Sequence, residues 1–132
     1  MWSKRFLLAF GIAMIGIGCA YLSFPLALVG LSEIALTSPP ALIDARAMYG
    51  GVQIGIGAFI LLCAMRPQMM RTGLLFIVIL LVPVVAARLI GMKLDGSPGP
   101  VIGTGLATEI IGIFLALGLL LRERVSANER GD

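Results

Sequence analysis

Residues 73–91 read GLLFIVILLVPVVAARLIG. Those nineteen residues carry one charge, Arg88, and one helix breaker, Pro83. At a rise of about 1.5 Å per residue, a helix of that length crosses about 30 Å of hydrocarbon. Lipid offers no water to complete backbone hydrogen bonds, so a segment of this composition is expected to span as a helix. Three further apolar runs flank it, at residues 6–29, 41–65 and 101–121. The turn signals between them agree. Ser38-Pro39-Pro40 offers a cap and first-turn prolines to the second span. Arg66-Pro67-Gln68 separates the second from the third, and the breaker cluster of residues 95–100 precedes the fourth. The expected fold is all-α: a polytopic membrane protein, one domain over residues 1–132, with four transmembrane helices in an antiparallel bundle.

Composition supports lipid as the solvent. Of 132 residues, 59% are hydrophobic and only 13% charged, and the mean hydropathy is +1.05. A soluble domain could not cover itself with so little polar surface. No polar stretch is long enough to fold as a separate extramembrane domain. The chain has no histidine, which removes the usual metal ligand, axial haem ligand and general base. No metal or cofactor is expected. Cys19 and Cys63 fall near opposite ends of their spans, well over about 10 Å apart, too far for a disulfide. They read as small apolar fillers.

The basic residues set the expected orientation. Lys4 and Arg5 precede the first span, Arg66 and Arg71 bracket the middle loop, and Arg122, Arg124 and Arg130 follow the fourth. The other two loops hold Lys93 alone. By the positive-inside rule both termini and the middle loop are cytoplasmic, in an inner membrane. The net charge of +3 is then a topology signal and does not point to nucleic acid. Lys4-Arg5 before an apolar run resembles a signal peptide, but the run continues through Tyr21 to Val29, and an uncleaved first helix is expected. The tail from Ser126 is polar and expected to fray.

Arg46, Arg88 and Glu109 are ionisable groups inside spans, and an intramembrane charge is a candidate functional site by default. Both arginines lie about a turn from a span end and can snorkel. Glu109 is about two turns deep with a short side chain, so it needs an arginine, a proton or a water-filled cavity. Arg46, Tyr49 and Gln53 follow at i, i+3 and i+7, one polar stripe on the second span. Glu33, Asp44, Asp95 and Lys93 fall on the same half of the bundle, and Thr104 and Thr108 lie beside Glu109. The expectation is a polar pocket in the outer half, walled by Arg46, Tyr49, Gln53, Arg88, Asp95 and Glu109, with Asp44 and Thr108 secondary. Against it stands polar glue, in which Arg–Glu pairs and a Gln only hold helices together. Two small-residue ridges are expected to pack helices: Ala47, Gly51 and Gly55 on the second span, and Thr108, Gly112 and Ala116 on the fourth. Gly50-Gly51 is expected to permit a tight crossing rather than a local distortion. Pro83 is expected to kink the third helix and widen the bundle on the Arg88 side.

The stretch Asp44-Ala45-Arg46-Ala47-Met48-Tyr49-Gly50-Gly51, with Arg88-Leu89-Ile90-Gly91, Asp95-Gly96 and Glu109, resembles a bacterial family of small four-helix membrane proteins, the domain of unknown function 4345. The layout is similar, more distantly, to the DoxX-type small membrane proteins. The resemblance implies the four-helix fold and singles out the same polar residues, and it imports no activity. Three functions compete. The first is binding or carriage of a small amphipathic or lipid-like ligand, its anionic or polar head near Arg46 and Arg88. A transporter of this size would have to be a homo-oligomer. The second is an accessory subunit of a larger membrane complex. The third is an intramembrane acid/base enzyme using Glu109 or Asp95 with Tyr49, for which no nucleophile, metal or cofactor motif speaks.

Overall fold

The computed structural model describes residues 1–96 and 99–128, with side chains for residues 1–96 and 99–123. The first helix, α1 (Trp2–Ser23), starts with the Arg5 guanidinium over the Trp2 ring at 5.7 Å, a pairing of basic and aromatic side chains suited to a membrane interface. It stops at Phe24 (φ −130°, ψ 54°), whose N–H still donates to the Ala20 carbonyl. Pro25 follows, and a residue before proline is pushed out of the helical region. The short α2 (Pro25–Gly30) then begins anew. The run expected as one helix over residues 6–29 is therefore two.

The second span is assembled from three parts. In α3 (Pro39–Ala45), the Ser38 hydroxyl accepts the Ala41 N–H at 3.4 Å and the prolines occupy the first turn. A π-helical turn covers Arg46–Gly51, closed by the Val52 N–H donating five residues back to the Ala47 carbonyl. The regular helix α4 (Val52–Met65) completes the span. A 3₁₀ turn at Pro67–Met69 leads into α5 (Met70–Asp95), which runs unbroken through Pro83. Gly96 and Gly99 take positive φ, 104° and 64°, the backbone that glycine alone adopts freely. Ser97 and Pro98, within the expected breaker cluster, lie outside the described residues. The last helix is α6 (Gly99–Asn128). Arg130 and the rest of the tail end also lie outside the described residues. Among the described residues four helices are long and apolar enough to cross a membrane: Trp2–Ser23, Pro39–Met65, Pro67–Asp95 and Gly99–Glu123. No strand occurs among the described residues.

The bundle packs as two antiparallel hairpins, α1 with α4 and α5 with α6. Glycines set the first seam. A Cβ on Gly18 would stand 2.7 Å from the Gly50 carbonyl oxygen, and one on Gly57 would stand 2.7 Å from that of Gly11. Gly11 and Gly18 are thus paired with Gly57 and Gly50 in antiparallel register, and the backbones touch. The expected ridge of Ala47, Gly51 and Gly55 does not make this seam. All three residues are exposed, and no atom stands within 4 Å of a Cβ on Gly51 or Gly55. The expectation of a crossing without distortion at Gly50-Gly51 is also corrected: Gly50 makes the crossing, and both glycines lie in the π turn. On α6, Gly112 faces Leu81, whose Cδ1 would lie 3.0 Å from an added Cβ, and Ala116 is fully buried, whereas Thr108 is exposed.

Leu7, Ile60, Leu74, Ile77 and Ala116 are the fully enclosed heart of the core. These residues lie in the half where α1 begins and α6 ends, called here the proximal half. The opposite, distal half carries the connection at residues 31–38, the end of α5 and the start of α6, and it positions the site.

Candidate functional site

The inward faces of the helices change character along the bundle. On α5, Leu74, Ile77 and Leu81 belong to the core, and Arg88 follows at seven residues from Leu81, on the same face. On α6, Leu120 and Ala116 are core, Gly112 is buried, and Glu109 is next on that face. On α4, Ala64 and Ile60 are core, and Gln53 lies seven residues further out. The bundle interior is apolar in its proximal half and polar above it.

Arg88 and Glu109 meet there. The Arg88 Nε donates to the two oxygens of the Glu109 carboxylate, at 3.0 Å and 3.1 Å from nitrogen to oxygen. Glu109 keeps 16% of its side chain exposed and Arg88 33%, so the carboxylate is the deeper member. That fits its shorter reach and its need for a counter-charge at depth. The guanidinium also lies over Gly105: an added Cβ there would be 3.7 Å from an Arg88 Nη. Gly105 precedes Glu109 by one turn, so α6 offers the arginine a carboxylate and a bare stretch of backbone together. The Nη nitrogens have no protein acceptor among the described residues.

A cleft of about 460 Å³ opens beside this pair at the distal end. Arg88 and Asp95 line it from α5, residues 31–33 from the turn after α2, and residues 101–102 from the start of α6. The Asp95 carboxylate folds back along its helix, with one oxygen 3.7 Å from where a Gly91 Cβ would stand. Glu33 is a cleft residue that sequence reasoning placed only on the correct half of the bundle. Its backbone is left-handed, φ 60°. The Ile34 N–H donates to the Val29 carbonyl and the Glu33 N–H to that of Gly30. This is the glycine-type cap that ends a helix, with glutamate in the position glycine normally takes.

The family model described as "Domain of unknown function (DUF4345)" matches residues 3–120. The chain belongs to this family. No curated protein and no solved structure matches it.

Not every polar residue of this DUF4345 chain joins the cleft. Arg46 and Tyr49 lie on the π turn, which packs on α1, and the Tyr49 ring stacks at 5.4 Å on Tyr21. Arg46 and Asp44 are exposed on the outer surface and do not line the cleft. The expected wall of six residues therefore divides. Arg88 and Asp95 line the cleft, Glu109 holds Arg88, Gln53 shares the inward face, and Arg46 and Tyr49 stand apart. Thr108 and Thr104 are likewise outside the network. Their hydroxyls donate at 2.8 Å to the Gly105 and Pro100 carbonyls of their own helix, a local bond that leaves them solvent- or lipid-facing. Both cysteines are free, Cys19 exposed and Cys63 buried. No group of three or more metal-ligating side chains gathers among the described residues.

Proposed function

We propose that this protein binds a small amphipathic or lipid-like molecule, with the polar head in the distal cleft and the tail along the apolar faces of the helices. One observation carries the reading. Arg88 is fixed from behind by Glu109 through Nε alone, while its Nη nitrogens, on a residue that lines the cleft, have no protein acceptor among the described residues. An arginine used only as glue between helices would be expected to spend its fork on protein acceptors. Here a large share of its donors remains for something else. Beside it the cleft offers apolar contacts from Leu31, Met92, Val101 and Ile102, which suit the first carbons below a head group. The reading also sets the protein in a cytoplasmic membrane with both termini on the cytoplasmic side, because Lys4, Arg5, Arg66, Arg71 and Arg122 gather at the proximal end.

The test is direct. Protein extracted in a mild detergent is weighed intact by native mass spectrometry, and its extract is analysed for lipids and metabolites. A bound mass is expected in the wild type and in Arg46→Ala, whose side chain does not line the cleft. It is expected to be lost in Arg88→Lys, which keeps a charge for Glu109 but removes the guanidinium fork. Equal retention by all three proteins would refute the assignment of the head to Arg88.

A second reading, an accessory or self-associating subunit, draws on the exposed face of Ala47, Gly51 and Gly55. Small residues facing lipid leave room for another helix to approach closely. Co-purified foreign subunits, in place of a small bound mass, would favour it.

A further inference from the structure

We infer that the cleft takes an amino-phosphate zwitterion, with its phosphate on Arg88 and its primary ammonium on Asp95 and Glu33. The inference rests on the binding reading above and narrows it to one head-group chemistry.

The charge balance comes first. The described lining of the cleft contains one guanidinium, Arg88, and two carboxylates, Glu33 and Asp95. The Arg88 charge is already offset by Glu109 at 3.0 Å. The cleft as a whole is therefore net negative, although its floor presents unoccupied guanidinium donors. A purely anionic head would satisfy Arg88 but face two carboxylates without compensation. A simple cation would satisfy the carboxylates but leave the Arg88 Nη donors unused. A head that carries both signs meets both demands. Neither carboxylate has a protein partner among the described residues.

Geometry supports the same pairing. Arg88 and Asp95 are seven residues apart on α5, two turns, which would separate their backbones by about 10 Å. The Asp95 carboxylate, however, lies back over Gly91, three residues beyond Arg88. That brings the Asp95 carboxylate back to a level about three residues, or about 5 Å along the helix axis, beyond the Arg88 backbone. The carboxylate thus turns toward the Arg88 end of the cleft that both residues line, as a short head group carrying both signs requires. Gly91 makes this possible, since a larger side chain there would fill the space between them. Glu33 lines the same cleft from the turn after α2. Its left-handed backbone (φ 60°) is one that glycine would adopt without strain, yet an acidic side chain stands there.

The amine is primary rather than quaternary. A primary ammonium has three N–H donors for carboxylate oxygens, whereas a quaternary one has none and is usually held by aromatic faces. The described lining contains no aromatic residue.

The experiment titrates purified protein in detergent with three lipids of identical acyl chains: phosphatidylethanolamine, phosphatidylglycerol and phosphatidylcholine. Bound lipid is counted by native mass spectrometry. Phosphatidylethanolamine should be retained about tenfold better than either of the others, the worth of a charge-assisted hydrogen bond. Asp95→Asn should bring it down to the phosphatidylcholine level and raise phosphatidylglycerol. Glu33→Gly should do the same while leaving the fold at least as stable, so that the loss cannot be ascribed to misfolding. Equal retention of the three lipids, or a preference for phosphatidylglycerol, overturns the zwitterion while the binding reading stands. Retention of none of them, with no other small mass bound, overturns the binding reading itself. Free phosphoethanolamine forms a further arm. Displacement of bound lipid by it assigns the site to the head alone and admits a soluble source, and failure to displace assigns it to the membrane lipid.

Discussion

At the scale of single residues, the Arg88–Glu109 contact separates two effects that a membrane makes large. An unpaired charge at bilayer depth costs about 2.5–3.5 kcal/mol on insertion scales, and a pair whose charges offset one another avoids most of that. The protein therefore gains less from having the pair than it loses when one partner goes. Glu109→Leu should destabilise the bundle by about 2–3 kcal/mol, because Arg88 keeps its charge and loses its anchor. Adding Arg88→Leu should recover most of the loss, since lipid and the neighbouring helices accept two leucines readily. Reversible unfolding in mixed micelles, run as a double-mutant cycle, measures the coupling. Additive effects of the two substitutions would mean that the contact does not stabilise the fold. The pairing itself was within reach of the sequence, because each residue interrupts an otherwise apolar span and each needs the other's charge. The role of Glu33 was not. It depends on the left-handed turn at residue 33 that closes α2, a position the sequence does not mark with a glycine.

At the scale of elements, the seam between α1 and α4 decides where the remaining polar residues go. Gly18 and Gly57 each lie against a facing backbone carbonyl, and a backbone cannot move aside as a side-chain end can. Gly57→Ala should cost about 1–3 kcal/mol through overpacking. Gly55→Ala, two residues away with open space around it, should be neutral or slightly stabilising, as alanine is the better helix former. Thermal unfolding of the two variants in the same detergent checks this, and a larger loss in Gly55→Ala would reverse the assignment of faces. Spacing alone chose the wrong ridge because small residues four apart do not say which face meets a neighbour: Ala47, Gly51 and Gly55 are all exposed, while Gly50 and Gly57, seven apart, make the seam. The π turn at Arg46–Gly51 takes up an extra residue, so positions before and after it fall out of the ordinary 3.6-residue phase. Arg46, Tyr49 and Gln53 look like one stripe in regular helical register. With the π turn between them, Tyr49 meets Tyr21 on α1 while Gln53 shares the inward face of Ile60 and Ala64. A π turn has no reliable sequence signature. The Gly50-Gly51 pair, poor in helix propensity, was the one hint of it.

At the scale of the whole molecule, the four spans, their order and their antiparallel arrangement were all legible, because lipid imposes length and helicity on any apolar run. Absent from the sequence was the division of the interior into a packed proximal half and a polar distal half. That division follows from which residues share faces: Leu74, Ile77 and Leu81 continue into Arg88, and Ala116 and Gly112 continue into Glu109. It also gives the proposed orientation a functional consequence. The cleft lies at the end opposite Lys4, Arg5, Arg66, Arg71 and Arg122. If those basic residues stay on the cytoplasmic side, the cleft opens to the outer leaflet and can be reached only from there. Reporter fusions test this: a cytoplasmically active fluorescent protein and an externally active phosphatase, each joined after Glu123 or inserted in the connection at residues 34–37. The fluorescent reporter should be active after Glu123, and the phosphatase in the connection. The opposite pattern would place the cleft on the cytoplasmic leaflet. Moving the basic residues should then decide whether charge sets the orientation. Neutralising Lys4, Arg5, Arg66 and Arg71 together, with lysines added at residues 34–37, should invert the reporter signals if the proximal charges hold the bundle in place, and leave them unchanged if they do not.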